Sequence, residues 1–133
     1  MSRKFGFSSA VVSLVVLGLI GFTAAPAVAH KEYKDQFQAK YVKPDSTAGS
    51  DAALAKAFQE TSCQVCHAPG DDRKQRNDYG KQLAKLLSKK DKKNKAKIGA
   101  ALDTVAKLKS KPSDSGSPTF GEKIASGKLP AAD

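Results

Sequence analysis

Two cysteines and a histidine form the most specific chemical pattern in the chain. They lie in the run Cys63-Gln64-Val65-Cys66-His67, which contains both of the chain's 2 cysteines. The spacing C-x-x-C-H is typical of covalent haem attachment, in which two thiols form thioethers with the vinyl groups on one porphyrin edge. The histidine that follows is then placed beneath the iron as its proximal ligand. The pattern therefore predicts one covalently attached haem.

Two other chemistries use the same residue types. A disulfide between Cys63 and Cys66 would make a thioredoxin-like redox motif, but such motifs lie at a strand-to-helix junction that this sequence lacks. A zinc site needs four ligands, and His30 is the only further histidine or cysteine. Because Cys66 and His67 are adjacent in sequence, their side chains also cannot easily coordinate the same tetrahedral ion. We therefore favour haem and keep a disulfide or a structural metal as alternatives.

The beginning of the chain predicts an export signal. Arg3 and Lys4 form a basic start, residues 11–22 are almost entirely apolar, and residues 27–29 are the small side chains that a signal peptidase requires. The apolar run is shorter than the roughly 20 residues that span a bilayer. We therefore expect cleavage before His30 and a periplasmic or otherwise exported location. An uncleaved leader would instead anchor the chain in the membrane.

The remaining chain is strongly basic. Removing Arg3 and Lys4 with the leader leaves 21 basic and 13 acidic residues, a formal charge of +8. Residues 81–111 concentrate this charge, because they hold eleven lysines against only Asp91 and Asp103. Such a field steers encounters with acidic docking surfaces on proteins or with anionic membrane surfaces. Export removes the chain from nucleic acid. Lysines on a helix are also ordinary solvated surface, so docking is one of two interpretations.

Helical spacing recurs along the mature chain, and no segment shows convincing strand alternation. Tyr33, Phe37 and Tyr41 are spaced four apart and predict an amphipathic helix within residues 30–43. Four further helices are expected: from Asp51 into Cys63, from an Asp78 cap to about Lys89, from Ile98 to Leu108 before Pro112, and briefly after a capping box from Thr119 to Glu122. In the second of these, Tyr79, Leu83, Leu86 and Leu87 form the apolar face. The predicted fold class is all-α.

These elements divide the chain into three parts. We predict a signal peptide at residues 1–29, an N-terminal helical extension and linker at residues 30–50, and a haem domain at residues 51–133. The mature chain has 104 residues and no tryptophan, so its core is modest. A bound apolar cofactor would add surface around which the helices close.

The leader, the helix that carries Leu54 and Phe58, the Cys63-to-His67 run and the later helices together resemble a small single-haem cytochrome c. The resemblance is sharp over residues 51–87 and vague elsewhere. It implies a helical fold wrapped around one haem c with an exposed edge. It also implies that Cys63 and Cys66 are the thioether positions, that His67 is the proximal ligand, and that the protein carries single electrons between periplasmic redox partners.

The chain departs from that family at the sixth iron ligand. The best-known members use a downstream methionine, but the only methionine here is Met1 in the leader. The open candidates are His30, through its imidazole or its α-amino group, a lysine, the Tyr79 hydroxyl, or none. A lysine would have to bind as a neutral amine, which requires burial against a pKa near 10.4. An empty position gives the alternative function, a five-coordinate haem protein that binds small ligands or peroxide.

Residues around the motif have two interpretations. Arg73, Lys74 and Arg76 would pair with the haem propionates, or remain solvated loop charges. The second ring nitrogen of His67 should donate to a carbonyl or carboxylate, and the Pro69 carbonyl is one candidate. The chain lacks a nucleophile–base pair, a phosphate loop and a second cofactor motif. We therefore expect an electron carrier and not an enzyme.

Overall fold

The computed structural model describes residues 31–70 and 74–132. Five helices occupy these ranges: α1 (Lys31–Tyr41), α2 (Gly49–Thr61), α3 (Asp78–Leu86), α4 (Lys95–Ala106) and α5 (Phe120–Ala125). Two short 3-10 helices, Ser62–Val65 and Lys89–Asp91, lie between them. No strand forms within the two ranges, so the predicted all-α class is confirmed. The predicted leader and His30 lie outside the described residues, and none of the five helices has the length and apolar content needed to cross a bilayer.

The first helix is part of the common core. Phe37 is buried, and Tyr33 and Tyr41 are partly buried and pack against the core, which confirms the predicted aromatic face. The Phe37 ring centroid lies 6.1 Å from that of Phe58 in α2 and 6.0 Å from that of Tyr79 in α3. The segment predicted as an extension therefore contributes an aromatic residue to the interior shared by three helices.

The fourth helix lies at the centre of the fold and contacts α1, α3 and α5. Its buried residues are spaced by three and four positions, as a helix packed along one face requires: Ile98, Ala101, Leu102 and Val105. The helix ends at Ala106, before the Leu108 expected from the sequence, and Leu108 is 40% exposed. The sequence pattern predicts too long a helix, because Leu108 has the same helical spacing as the buried residues but does not enter the core.

The third helix begins with a different cap from the one predicted. Asn77, and not Asp78, is the N-cap residue, and its Oδ1 accepts a hydrogen bond from the Gly80 amide at 2.9 Å. Asp78 instead occupies the first turn, where a carboxylate suits the helix dipole. The Asn77 cap has a second consequence, because the same side chain also reaches the cysteine motif.

The end of α3 also differs from the prediction. The helix stops at Leu86, not near Lys89, and Leu87 adopts an extended conformation that buries its side chain. Leu86 is 40% exposed, so it does not belong to the apolar face on which the sequence placed it. The physical reason is the next element, a reciprocal capping box between Ser88 and Asp91 that starts a separate 3-10 turn.

The last helix follows its predicted capping box. The Thr119 Oγ1 accepts from the Glu122 amide at 3.1 Å, and the Thr119 amide donates to the Glu122 carboxylate at 2.6 Å. Gly127 then ends the segment with a positive φ of 85°. A Cβ at this position would lie 2.6 Å from the Ser50 carbonyl oxygen, so the C-terminal turn packs closely against the start of α2.

Candidate functional site

The cysteine motif lies on a tight turn directly after α2. The Ser62–Val65 helix carries Cys63, and the chain then leaves the helix at Cys66. The amides of Cys66 and His67 both donate to the Cys63 carbonyl, at 3.4 and 3.0 Å. Val65, between the two cysteines, is 1% exposed and fixes the turn to the core. The fold therefore holds the two thiols and the imidazole on one short segment.

The two thiols have different surroundings. Both are free, Cys63 is exposed, and Cys66 is partly buried and packs against the core. Burial raises the pKa of the Cys66 thiol to about 12, although the positive charge of Arg76 acts in the opposite direction. At neutral pH Cys66 is therefore a neutral thiol, whereas Cys63 is in contact with solvent.

Cys63 and His67 line one open groove of about 300 Å³, which we call the motif groove. The remaining lining residues are Glu60, Thr61, Ser62, Gln64, Ala68 and Gly70. Cys66 is not among them, because its side chain lies toward the core. The structure thus brings two of the three predicted site residues to one surface and places the third behind it.

The imidazole of His67 has an unsatisfied nitrogen. Its Nδ1 is buried and has no hydrogen-bond partner among the described residues. The predicted hydrogen bond to the Pro69 carbonyl does not form in this structure, because the main chain after His67 turns back in an isolated antiparallel bridge with Arg76. Buried polar atoms are nearly always paired in folded proteins. The Nδ1 of His67 therefore lacks, among the described residues, the partner that a buried imidazole nitrogen usually has.

One asparagine closes the turn and was not found from the sequence. The Asn77 side-chain amide donates to the carbonyl oxygens of Gln64 at 2.7 Å, Val65 at 3.2 Å and His67 at 3.2 Å. Its main-chain amide donates to the Cys66 carbonyl at 3.1 Å. Asn77 therefore positions four consecutive carbonyls of the motif. The preference of asparagine for N-caps predicts its role in α3, but no local pattern reveals these long-range contacts.

A glycine allows α3 to approach the motif. A Cβ at Gly80 would lie 2.0 Å from the Cys66 carbonyl oxygen, closer than any side chain tolerates. The helix backbone therefore lies directly against the motif backbone. Sequence analysis also missed this residue, because a glycine inside a helical pattern does not by itself show which segment it approaches.

The neighbouring Tyr79 is a core residue. It is 0% exposed, and its ring packs edge-on against Phe37 and Phe120, with centroids at 6.0 and 5.2 Å. Its hydroxyl and that of Tyr41 are both buried and have no hydrogen-bond partner within residues 31–70 and 74–132. Burial holds the pKa of Tyr79 far above its usual value, and the nearby Tyr41 and Cys66 add to the rise. Burial likewise raises the pKa of Tyr41 to about 12.

Two further predicted residues, the candidate iron ligand His30 and the candidate propionate partner Arg73, lie outside the described residues. The other two candidate propionate partners, Lys74 and Arg76, are exposed. No lysine within residues 81–111 is buried, so this segment does not offer the environment that a neutral lysine ligand needs. Within residues 31–70 and 74–132, no three side chains of histidine, cysteine, aspartate or glutamate are grouped to hold a metal ion.

The donor set nevertheless fits a covalently attached haem. Two unpaired thiols and an imidazole lie on one turn, and Cys63 and His67 share a groove. Cys66 departs from this arrangement, since its thiol lies on the core side. Comparisons of the chain with protein-family models, with curated proteins and with solved structures found no match.

Proposed function

We propose that this chain is an exported mono-haem c-type cytochrome that carries single electrons between periplasmic redox partners. The observation that carries the proposal is the pair of free thiols on the same turn as His67. A zinc site would need four ligands, and the described residues do not group even three histidine, cysteine, aspartate or glutamate side chains together. The helical fold agrees with a domain that wraps around one haem.

The chain's own residues would divide the work of holding the cofactor. Cys63 and Cys66 would anchor it through thioethers, and His67 would be the proximal ligand. When bound, haem supplies an iron that gains and loses one electron, with a potential set by its ligands and surroundings. Asn77 and Gly80 would fix the motif backbone, because four of its carbonyls accept hydrogen bonds from Asn77 and α3 packs against it through Gly80.

The two thiols should not react with equal ease. Cys63 is exposed at the motif groove, whereas the Cys66 thiol is packed against the core. Attachment through Cys66 therefore requires the motif to loosen locally, and we expect Cys63 to be the first position that is accessible. Folding after attachment would then close the core over Cys66.

The lysine-rich surface supports encounters with acidic partners. Ten of the eleven lysines in residues 81–111 are exposed, and Lys92 is intermediate. Exposed charges of one sign raise association rates with oppositely charged surfaces, and salt weakens the effect. Electron transfer to an acidic partner protein should therefore slow as ionic strength rises. An anionic membrane surface would show the same dependence in vesicle binding without electron transfer.

Haem staining after denaturing electrophoresis tests the proposal. The full chain is expressed in a host that matures c-type cytochromes, together with Cys63→Ser, Cys66→Ser and the double variant. The wild type should retain stain, and the double variant should retain none, because covalent attachment requires the thiols. Ser62→Ala is the matched control, since it changes the same turn without removing a thiol. An unstained wild type would contradict the proposal.

Carbon monoxide distinguishes the electron carrier from the five-coordinate alternative. With two firm nitrogen ligands the reduced protein should show no prompt spectral shift, whereas an open sixth position binds the gas at once. His30→Ala then tests the candidate ligand in the mature N-terminal segment. If wild type is unreactive and His30→Ala reacts, the histidine residue supplies the sixth ligand.

A further inference from the structure

The turn between α3 and α4 carries a cluster of lysines. Residues 89–95 contain five lysines, one aspartate and one asparagine, and we call them the lysine turn. Four of the five lysines are exposed, and Lys92 is intermediate. Within residues 31–70 and 74–132, none of the five has an ion-pair partner. The turn therefore presents five positive charges that no ion pair neutralises.

The one acidic residue of the lysine turn is occupied inside the fold. The Asp91 carboxylate pairs with Lys97 at 2.8 Å and accepts from the Ser88 amide and hydroxyl at 2.8 and 2.9 Å. The hydrogen bonds with Lys97 and Ser88 lower the pKa of Asp91 from 3.8 to about 2. Its side chain is only 13% exposed. Asp91 therefore compensates Lys97, which lies outside the turn, and is not available to a partner.

The fold holds the lysine turn in an electrostatically unfavourable place. Tyr33 in α1 donates to the Ser88 carbonyl at 2.5 Å, and the Asn94 Oδ1 accepts from the Lys97 amide at 2.9 Å as the cap of α4. Lys95 then begins α4, whose first turn holds no acidic residue. Cations at a helix N-terminus oppose the helix dipole. A surface that served stability alone would carry acidic residues here, and conflicts of this kind are expected at functional surfaces.

An exposed apolar side chain adjoins the lysine turn. Leu86 lies three residues before Lys89 and is 40% exposed. Among the described residues the other exposed large apolar side chain is Leu108, which lies beyond the opposite end of α4. There the charge of Lys109 acts on the Glu122 carboxylate, so that end is partly compensated. Uncompensated lysines and an exposed leucine therefore coincide at the start of α4.

The composition of this surface favours a lipid bilayer over a protein partner. Protein interfaces concentrate aromatic residues and arginine at their centres and are depleted in lysine. The lysine turn contains no aromatic residue and no arginine. Clusters of about four or more lysines attract anionic lipid headgroups by charge, and a neighbouring apolar side chain enters the interface. A bilayer surface also needs no matching cavity, and no residue of the turn lines the motif groove.

We propose that the lysine turn and Leu86 bind the surface of an anionic phospholipid bilayer. The five lysines supply attraction to the phosphate groups, and Leu86 enters the headgroup region. The residues of the cysteine motif are not part of this surface. The inference goes beyond the proposed electron transfer and does not rest on it, because neither the lysines nor Leu86 would hold the haem.

Co-sedimentation with vesicles tests the proposal on the full chain, purified from a host that matures c-type cytochromes. Vesicles of phosphatidylcholine with about one third phosphatidylglycerol should bind the protein at least about tenfold more strongly than vesicles of phosphatidylcholine alone. Raising sodium chloride from about 0.1 M to about 0.5 M should remove most of this difference, because salt screens exposed charges. The ratio of the two affinities reports charge, since an attached apolar leader would bind both kinds of vesicle.

Two double variants form a matched pair at the two ends of α4. Lys93→Gln with Lys95→Gln, and Lys107→Gln with Lys109→Gln, each remove two exposed lysines two positions apart. The first should lower the affinity for anionic vesicles at least about tenfold, because each lysine near the surface contributes about fivefold. The second should change it by less than about threefold. The 12 residues of α4 separate the two ends by about 18 Å, more than the screening length of about 10 Å.

Two single variants test the apolar contact. Leu86→Gln and Leu108→Gln each replace a leucine that is 40% exposed. Leu86→Gln should weaken binding to anionic vesicles about threefold or more, because it removes the side chain that enters the bilayer. Leu108→Gln should leave binding unchanged. All these variants should keep the circular dichroism of the wild type, since the exchanged side chains are exposed.

Four results would overturn the proposal. Two are the absence of a preference for anionic vesicles and equal losses within the pair of double variants. A third is equal losses in Leu86→Gln and Leu108→Gln. The fourth is binding to poly-L-glutamate without binding to vesicles, because the surface would then recognise acidic polypeptides.

The outcome is independent of haem, because the pelleted polypeptide and not its colour is measured. A colourless protein that prefers anionic vesicles would contradict the proposed function and support this inference. A haem-loaded protein that shows no preference would do the opposite. The two failures are therefore distinguishable.

Discussion

The backbone of Gly80 lies against the carbonyl of Cys66 so closely that an added Cβ would meet the oxygen at 2.0 Å. This contact joins α3 to the cysteine motif without any side chain between them. Glycine is required here by close approach and not by its conformational freedom, because Gly80 is inside a regular helix. Any side chain at this position must push α3 and the motif apart.

Gly80→Ala should therefore destabilise the protein although alanine favours helices. We expect the free energy of unfolding to fall by about 2 kcal/mol or more, because overpacking against rigid backbone exceeds the gain of up to about 1 kcal/mol in helix propensity. Urea denaturation measures the change. Gly99→Ala in α4 is the matched control, since nothing lies within 4 Å of its Cβ, and it should stabilise by about 0.5–1 kcal/mol. Equal effects of the two variants would show that the close contact is absent in solution.

Asn77→Ala should lower stability through two separate losses. It removes the α3 cap and leaves motif carbonyls without their donor. We expect a loss of about 2–4 kcal/mol in the free energy of unfolding, measured in urea, because a cap contributes about 1 kcal/mol and an abandoned buried carbonyl costs about 1–3 kcal/mol.

Two variants separate these losses. Asn94→Ala removes the cap of α4, where the side chain accepts only from the Lys97 amide, so we expect a loss of about 1 kcal/mol. Asn77→Asp keeps a capping oxygen but removes the amide donor and sets a carboxylate beside three carbonyls. Asn77→Asp should lower the free energy of unfolding at least as much as Asn77→Ala does. A loss for Asn77→Ala no larger than that for Asn94→Ala would exclude a role for Asn77 in holding the motif.

The buried phenols should make the protein sensitive to alkali. The pKa of Tyr41 is raised from 10.0 to about 12 by burial, and that of Tyr79 is raised further. Because the folded pKa exceeds the unfolded one, the stabilisation is complete below pH 10 and is lost as pH rises above it. The free energy of unfolding, measured from pH 9 to 11.5, should fall by up to about 1.4 kcal/mol per pH unit for each phenol.

Phenylalanine variants isolate the tyrosine contribution from that of the many lysines. Tyr41→Phe and Tyr79→Phe should each flatten the alkaline decline, and Tyr79→Phe should leave stability at pH 7 unchanged or raised by about 1 kcal/mol, because its hydroxyl has no partner. Tyr33→Phe instead removes a hydrogen bond to the Ser88 carbonyl and should lower stability at pH 7. If the free energy of unfolding falls as steeply at alkaline pH in Tyr41→Phe and in Tyr79→Phe as in the wild type, the two phenols are not buried and unpartnered in solution.

The two cysteines should differ in reactivity before haem is attached. In the chain produced without cytochrome maturation, iodoacetamide at pH 8 should modify Cys63 at least about tenfold faster than Cys66, because a buried thiol with a raised pKa provides little thiolate. Peptide mass spectrometry measures both rates. In denaturant the rates should become similar. Equal rates in the folded chain would show that Cys66 does not pack against the core.

Several helices were predicted from local sequence patterns, because the interactions that form them join residues that are close in sequence. The ring spacing of α1 and the box between Thr119 and Glu122 are confirmed, since helical periodicity and capping depend on neighbours three or four residues away. The sequence predicts that α3 and α4 end later in the chain than they do in the structure. Leu86 and Leu108 follow the helical spacing but are each 40% exposed, and after α3 the extended Leu87 is the residue that is buried.

The sequence predicts which residues form the site but not how they are arranged. Cys63 and Cys66 are three apart, which suggests a shared face, yet Cys66 has left the 3-10 geometry and lies against the core. The supports at Asn77 and Gly80 act across ten or more residues of sequence. Such relationships depend on the tertiary fold, so one sequence does not reveal them.

The intact mass of the full chain, purified from a host that matures c-type cytochromes, tests the central claim most directly. Covalent attachment through Cys63 and Cys66 predicts the mass of the polypeptide plus one haem, in a coloured protein whose added mass survives denaturation. A colourless protein with the mass of the bare polypeptide would contradict it.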